Sequence, residues 1–268
     1  MQWEHLVQSE FNKLVKEEKL CIIPMAVLER HGEHLPLGMD GLTVHKIACE
    51  ASKIEPCVVF PPYYFGQVHE TGYTSGSVIM PSDFSVQLLM NLCDEIGRNG
   101  FTKILLLNGH GGNIAFLNYF MMSVADRDVP YTLYYVMFDA RLSPEENAYV
   151  DSIMPIEGGH ADQWETSLMM AVAPELVRLD LQNIPEPIND LGRTKKVLGR
   201  VETCYDWYAS YPDYVTGSPS KASREAGERL LDFYIKRVAR DIKAIKDDTV
   251  TPALQREFIE KAKNVGKS

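Results

Sequence analysis

The chain has 268 residues, of which 45% are hydrophobic and 24% are charged, as expected for a globular protein that buries a sizeable core. Its net charge of −10 at pH 7 leaves no basic stripe to meet phosphates, which argues against a nucleic-acid-binding protein. No apolar run approaches the ~18 residues of a membrane span, and residues 1–20 lack the basic and apolar regions of a signal peptide.

The first twenty residues instead predict an amphipathic helix. Its candidate core contacts are Trp3, Leu6, Phe11 and Leu14. The five cysteines are scattered, odd in number and mostly in apolar surroundings, and no CxxC motif suggests a thiolate metal site. They predict reduced thiols in a cytoplasmic protein.

Residues 21–28 are apolar without interruption by charge, which favours a central parallel strand. Glu29 and His31 follow directly, and residues i and i+2 of an extended chain point to the same side. We therefore expect a carboxylate and an imidazole together at the end of this strand. Asp40 comes after a short loop and opens a helical pattern. Mixed nitrogen and oxygen ligands of this kind suit Zn²⁺, Mn²⁺ or Fe²⁺.

Other interpretations of this segment remain open. Asp40 could only cap the helix, Glu29 could pair with Arg30, and His31 and His34 could be ordinary polar loop residues.

Further along, strands alternate with helices, a spacing that predicts a parallel sheet wrapped by helices and a single α/β domain over residues 1–268. The predicted strands are 57–60, 103–107 and 131–138. The predicted helices are 82–98, capped by Ser82 or Asp83, then about 114–125, one after Ser143, 161–172 and about 221–246. From about residue 180 the chain becomes irregular.

Two regions could line a pocket. Residues 67–77 carry His69, Glu70 and Tyr73 on a loop, although a plain surface loop explains them as well. Further aromatic residues are Trp207, Tyr208, Tyr211 and Tyr214, for which we expect core or interface packing, with a substrate lid as the alternative.

A second polar cluster, NGHGGN at 108–113, follows the strand at 103–107 and contains His110. Glycine-rich turns between a strand and a helix can hold phosphate, but this turn lacks the GKS/T of a P-loop and the spacing of a dinucleotide fingerprint. In an open parallel sheet, ligands bind beyond the carboxyl ends of the strands. We therefore expect His110 to meet Glu29 and His31 at that edge.

A third cluster is GGHADQWETS at 158–167. His160 precedes a predicted helix and Glu165 lies within it, beside apolar residues, where a carboxylate needs a partner. A helix salt bridge would be one such partner, and a metal ion would be another.

The three segments LERHGEHLPLGMD, NGHGGN and GGHADQWETS resemble, in order and rough spacing, the creatininase (creatinine amidohydrolase) family. The resemblance extends over about residues 20–232 and includes GSPSKAS at 217–223. It implies a three-layer α/β sandwich around a mostly parallel sheet, a dinuclear metal centre and frequent homo-oligomers, often hexamers. Members hydrolyse amides of small molecules, and they include formamidopyrimidine deformylases and a protein that trims a precursor peptide.

The resemblance implies the metal ligands Glu29, His31, Asp40, His110 and Glu165, with His160, and Glu165 beside it, as catalytic candidates. We expect two divalent ions bridged by Asp40, with Zn²⁺ first and Mn²⁺ or iron as alternatives, because three carboxylates nearly balance their charge. His160, at a Gly158–Gly159 entrance, is expected to protonate the leaving nitrogen through a near-neutral pKa.

The expected function is hydrolysis of a C–N bond in an amide, cyclic amide or formamide by a metal-bound hydroxide. The alternatives are a non-catalytic metal- or nucleotide-binding protein on the same scaffold, or a phosphate binder using the NGHGGN turn. Three departures from the family bear on the substrate. The first two are Arg30 and Glu33, which stand where many relatives have Gln and Pro. The third is Gly112, where creatininase itself carries a glutamate ligand, so Glu165 must complete the site here.

Overall fold

The computed structural model describes residues 1–140, 142–155 and 159–266. Four strands form one fully parallel sheet in the order β2-β1-β3-β4. They are β1 (Leu20–Met25), β2 (Val58–Val59), β3 (Lys103–Asn108) and β4 (Thr132–Met137). The predicted parallel sheet is confirmed. Each predicted strand is present, and its ends differ from the prediction by at most three residues.

Ten α-helices are present among the described residues. They are α1 (Gln8–Glu18), α2 (Met39–Ile54), α3 (Ser82–Arg98), α4 (Asn113–Ser123), α5 (Pro144–Ile153), α6 (Gln163–Val172), α7 (Lys195–Leu198), α8 (Asp206–Ser210), α9 (Arg224–Asp247) and α10 (Val250–Lys263). The sequence predicted the long ones except α10. None of the helices in the described ranges is long and apolar enough to cross a membrane.

The two faces of the sheet bury separate cores, because successive side chains of a strand point to opposite faces. On one face, Leu20 and Ile22 of β1 pack with residues of α2, α6 and α9. On the other face, Cys21 and Ile23 pack with residues of α1, α3 and α4. The predicted three-layer α/β sandwich is therefore confirmed.

The first strand is shorter than predicted, since β1 ends at Met25 rather than near residue 28. Its neighbour β3 turns away there, and the Gly109 N–H donates to the Met25 carbonyl. Ala26 then pairs with the segment after β2, donating to the Tyr63 carbonyl. Glu29 and His31 consequently lie on a loop and not in an extended strand.

Two helix starts differ from the expectation. Pro81 precedes α3 without a side-chain cap, and the Ser82 hydroxyl lies 3.2 Å from His69 Nε2 instead. Asp40 lies in the first turn of α2, whereas the residue at the cap position is Gly38. The interpretation of Asp40 as a simple cap is thus wrong, and its carboxylate is available to the sheet edge.

Candidate metal centre

Loops at the carboxyl edge of the sheet bring the predicted polar residues together. Glu29 and His31 lie on the loop after β1, and His110 lies on the turn between β3 and α4. All three side chains are buried. Arg30 pairs with Glu33 at 2.8 Å and not with Glu29, so the ion-pair interpretation of Glu29 is wrong.

Asp40 lies at the centre of the group and contacts both histidines. Its Oδ1 is 3.2 Å from His31 Nε2, and its Oδ2 is 3.0 Å from His110 Nδ1. A carboxylate that directs one oxygen toward each of two ligand groups has the arrangement of a bridging ligand.

The first ligand group consists of Glu29, Asp40 and His110. One candidate ligand atom from each residue lies within 4.8 Å of the other two, close enough for all three to bind one metal ion. Glu29 Oε1 is 2.8 Å from His110 Nδ1. On the other side of the ring, His110 Nε2 donates to the Gln67 carbonyl at 3.1 Å. This bond fixes the tautomer that leaves Nδ1 facing the carboxylates, as in many metal-binding histidines.

The second group consists of His31, Asp40 and Glu165. Glu165 reaches the site from the first turn of α6, and its Oε2 is 3.7 Å from His31 Nε2. The same oxygen accepts a 2.5 Å hydrogen bond from the Ala161 N–H. Ala161 has a φ of +52°, a left-handed conformation that costs roughly 1–2 kcal/mol and turns this N–H toward the carboxylate.

His160 lies beside these groups. Its ring stacks on that of His31 with centroids 4.3 Å apart, and its Nε2 donates to the Arg30 carbonyl at 3.0 Å. Glu29, His31 and His160 form a third group with metal-site spacing. The geometry therefore brings together all six residues predicted from the sequence. Gly158, the other residue of the predicted entrance, lies outside the described residues.

The protonation of the metal-free site follows from this packing. Burial alone would lower the pKa of His31, but Asp40, Glu165 and Glu29 outweigh it and raise that pKa to about 10. His110 has a raised pKa for the same reason, while the pKa values of Glu29 and Asp40 are lowered by the histidines despite burial. Protons on the imidazoles thus compensate the carboxylates where metal charge is absent.

Two members of the site differ from this pattern. Burial raises the pKa of Glu165 to about 8. Burial and the neighbouring His31 lower the pKa of His160 to about 4. The near-neutral pKa expected for His160 is therefore wrong for the metal-free protein, in which its ring is neutral at pH 7.

The side chains present fit divalent metal ions. Glu29 Oε1 and Asp40 Oδ2 are fully buried, and neither has a hydrogen-bond partner among the described residues, although His110 Nδ1 lies close to both. Buried carboxylate oxygens without hydrogen bonds are costly unless a cation binds them. Imidazole and carboxylate together form a donor set that zinc, manganese and iron share.

A cavity of about 350 Å³ opens onto these groups. Besides the predicted residues it is lined by Glu70 and Trp207, which sequence reasoning did not assign to the site. Trp207 reaches it from α8, and the centre of its ring lies 5.4 Å from that of His160. The only sequence signal for Glu70 was its loop, which follows β2 at the same edge of the sheet.

Gly112 occupies a crowded position in this cavity. A Cβ added there would overlap His110 Nε2 and lie 2.7 Å from Glu70 Oε1. A longer side chain at residue 112 therefore has no room in this arrangement, and the carboxylate of Glu70, from another loop, lies next to this position.

Phosphate is a poor ligand for the NGHGGN turn. His110 lines a cavity together with Glu29, Asp40 and Glu70, whose carboxylates repel an anion. The nucleotide-phosphate alternative therefore has no support from this geometry.

The fold and the site together define a three-layer α/β protein whose sheet edge holds grouped histidines and carboxylates suited to metal ions. The model of the family described as "Creatininase: Creatinine amidohydrolase" matches residues 4–242, so the chain belongs to the creatininase family. The family predicted from the sequence is confirmed, and with it the enzyme class, a metal-dependent hydrolase.

Three curated relatives illustrate the range of the family. A 3-dehydro-scyllo-inosose hydrolase of Thermotoga maritima is 26% identical, over 90% of this chain and 83% of the relative. A creatinine amidohydrolase of Pseudomonas putida is 22% identical, over 84% and 88%. A mycofactocin precursor peptide peptidase of Mycolicibacterium smegmatis is 28% identical, over 85% and 86%.

Solved structures agree with the fold. A crystal structure of creatinine amidohydrolase superposes with a TM-score of 0.76 at 19% identity, covering 92% of this chain and 98% of that one. This likeness confirms the architecture.

Proposed function

We propose that the protein is a metal-dependent amidohydrolase that cleaves a C–N bond of a small molecule at the group formed by Glu29, His31, Asp40, His110 and Glu165. The observation that carries the proposal is Asp40, whose two oxygens face the two histidines at 3.2 and 3.0 Å. Membership of the creatininase family supports the same class of reaction.

Two divalent metal ions are the proposed cofactors. Glu29 and His110 would hold one, His31 and Glu165 the other, and Asp40 would contact both. Zn²⁺ is our first choice and Mn²⁺ or iron the alternatives, since solved creatininases include a Zn–Zn form and a Mn form. When bound, such ions polarise a carbonyl and lower the pKa of water.

His160 is the proposed proton carrier. Because its Nε2 proton is committed to the Arg30 carbonyl, Nδ1 is the nitrogen that can accept a proton. A neutral imidazole beside the metal groups can take a proton from water and give it to the leaving nitrogen. Because an amide nitrogen leaves only after it is protonated, this proton transfer supports an amide as the substrate.

Glu165 is the proposed ligand that completes the second metal group beside His31. The Asp162 carboxylate caps α6 by accepting from the Trp164 and Glu165 N–H groups, which fixes where the Glu165 side chain begins. The Ala161 N–H then orients one of its oxygens toward His31.

The substrate is proposed to be a small amide, cyclic amide or formamide whose reacting part fits a cavity of about 350 Å³. The test has two stages. Protein purified without chelator and reconstituted with Zn²⁺ or Mn²⁺ is first analysed for metal, and then assayed on creatinine, a formamidopyrimidine and a short peptide. About two metals per chain with turnover of one of these supports the proposal, whereas a reproducible value of one or less rejects the dinuclear site.

We also propose a cytoplasmic homo-oligomer, with a hexamer as the family expectation. In support, α4 and α10 carry exposed apolar residues: Tyr119, Met122, Leu254 and Phe258. Light scattering at micromolar concentration tests this, and a mass near the 30.3 kDa of one chain rejects it.

A further inference from the structure

A second cavity adjoins the metal centre and meets it at Glu70. The outer cavity measures about 730 Å³, compared with about 350 Å³ for the inner one. Of the described residues, Glu70 alone lines both. Three tyrosines, Tyr73, Tyr205 and Tyr208, line the outer cavity beside smaller and polar residues. A molecule that reacts at the metal centre can therefore extend past Glu70 into an aromatic space.

Glu70 is held with one oxygen free. Gln67 Nε2 donates to its Oε2 at 3.0 Å, and no described residue donates a hydrogen bond to Oε1. That Oε1 lies 2.7 Å from where a Cβ of residue 112 would be. The φ of Gly112 is an ordinary −61°, so glycine is needed there for space and not for backbone conformation. The missing side chain leaves the carboxylate facing the inner cavity.

Aromatic rings connect the two cavities without a break. The ring of Trp207 lies 5.4 Å from that of His160 and 6.0 Å from that of Tyr214. Tyr73 continues the series, 5.8 Å from Tyr214 and 4.7 Å from Tyr208. This aromatic wall links Trp207 of the inner cavity to Tyr73 and Tyr208 of the outer cavity through Tyr214, whose own ring is fully buried.

The wall is held in place by bonds to the backbone. Tyr73 Oη donates to the Pro212 carbonyl at 2.8 Å. Arg193 donates to the Tyr208 carbonyl and lies 5.0 Å from the centre of its ring. Yet these rings remain open to solvent, with Tyr73 48% and Tyr208 42% exposed. Fixed and exposed aromatic rings around a cavity are typical of a binding surface.

We propose that the substrate carries three groups in a row. An amide reacts at the metal centre, a protonated amine or N–H donor next to it is bound by Glu70, and an aromatic ring beyond that is bound by Tyr73, Tyr205 and Tyr208. This inference rests on the proposed function and adds the substrate class. A carboxylate at the junction favours a cationic or donor group there, and aromatic walls favour a flat ring beyond it. A second copy of this chain, covering the same tyrosines, is the competing occupant.

Hydroxamates, which chelate metals, test the proposal by binding. Calorimetry on the Zn²⁺-loaded protein would compare acetohydroxamate, 3-phenylpropionohydroxamate and phenylalanine hydroxamate, which add first a ring and then an ammonium group. We expect each addition to tighten binding about tenfold. Tyr205→Leu combined with Tyr208→Leu should remove the gain from the ring. Glu70→Gln should remove only the gain from the ammonium group.

Tyr149→Leu is the matched control, because Tyr149 on α5 is 42% exposed, the same as Tyr208, and lines neither cavity. It should keep both gains. Equal affinities of the three hydroxamates in the wild-type protein would overturn the inference while leaving the metal centre intact. Binding of none of them to metal-loaded protein would reject the proposed function and the inference with it. If the tyrosine variants change the mass in light scattering but not the affinities, the surface joins copies of the chain and the inference is wrong.

Discussion

The rings of His31 and His160 stack with their centroids 4.3 Å apart and their planes 28° apart, yet the two histidines have opposite protonation. Carboxylates raise the pKa of His31 to about 10 against the effect of burial. Burial and repulsion from His31 lower the pKa of His160 to about 4. Two positive rings this close would repel each other, so the proton stays on the histidine that faces Asp40.

The first prediction separates the roles of His160 and Glu165. His160→Ala should retain its metal and lose turnover by about 10²–10⁴-fold, the usual contribution of a proton-transferring side chain. Glu165→Gln should lose metal and activity together, because its carboxylate faces His31 within the second ligand group. Metal analysis beside a rate measurement decides this. A metal-depleted His160→Ala together with a fully loaded Glu165→Gln would reverse the assignments.

The second prediction concerns the position of Asp40 between the two ligand groups. Asp40→Asn should lose both metal ions, because its two oxygens face different histidines. Glu29→Gln should mainly empty one site, since Glu29 contacts His110 at 2.8 Å but lies 3.9 Å from His31. Metal content after reconstitution and dialysis measures both. Equal losses in the two variants would contradict a bridging role for Asp40.

The third prediction is that metal binding releases protons. His31, with a pKa of about 10, and His110, with its raised pKa, are protonated in the metal-free protein at pH 7, and Glu165 titrates near pH 8. Metal ions bind the deprotonated forms of these side chains. Metal binding should therefore release two to three protons per chain, and the metal affinity should fall as the pH falls. Calorimetry in buffers of different ionisation enthalpy counts the protons. Release of none would show that protons do not occupy the metal positions.

The fourth prediction concerns Asp139, which lies beyond β4 in a cavity that also contains Asp40. Burial, with a smaller contribution from Asp40, raises its pKa from 3.8 to about 6, although Arg237 opposes the shift. The folded chain therefore keeps this proton between about pH 4 and pH 6 while the unfolded chain loses it. Folding stability falls as pH rises through that window and stays lower above it.

Asp139→Asn should remove this penalty. The metal-free variant should be more stable than the wild type at pH 7, by about 1–3 kcal/mol, and equal to it near pH 4. Thermal unfolding of both proteins in the presence of chelator, at pH 4 and pH 7, gives the comparison. The same difference at both pH values would mean that packing and not ionisation is responsible.

Much of the site could be predicted from the sequence, because its residues follow from chain topology. The apolar runs of β1 and β3 favour central strands, and the loops that follow parallel strands lie at the same edge of the sheet. Glu29, His31 and His110 were therefore expected to meet at that edge, and they do, although Glu29 and His31 lie on a loop and not in the predicted strand. Local order also placed Glu165 inside a helix and His160 just before it.

The tertiary structure decided what depends on contacts between distant segments. Glu70 enters the cavity because the loop after β2 fills the space above Gly112, and Trp207 enters it because α8 packs against His160. No local pattern encodes either contact. The pKa of His160 likewise depends on burial and on the ring of His31, so the sequence alone suggested a near-neutral value where the fold produces about 4. Residue types and strand order thus determined which groups meet, while packing determined their protonation and what surrounds them.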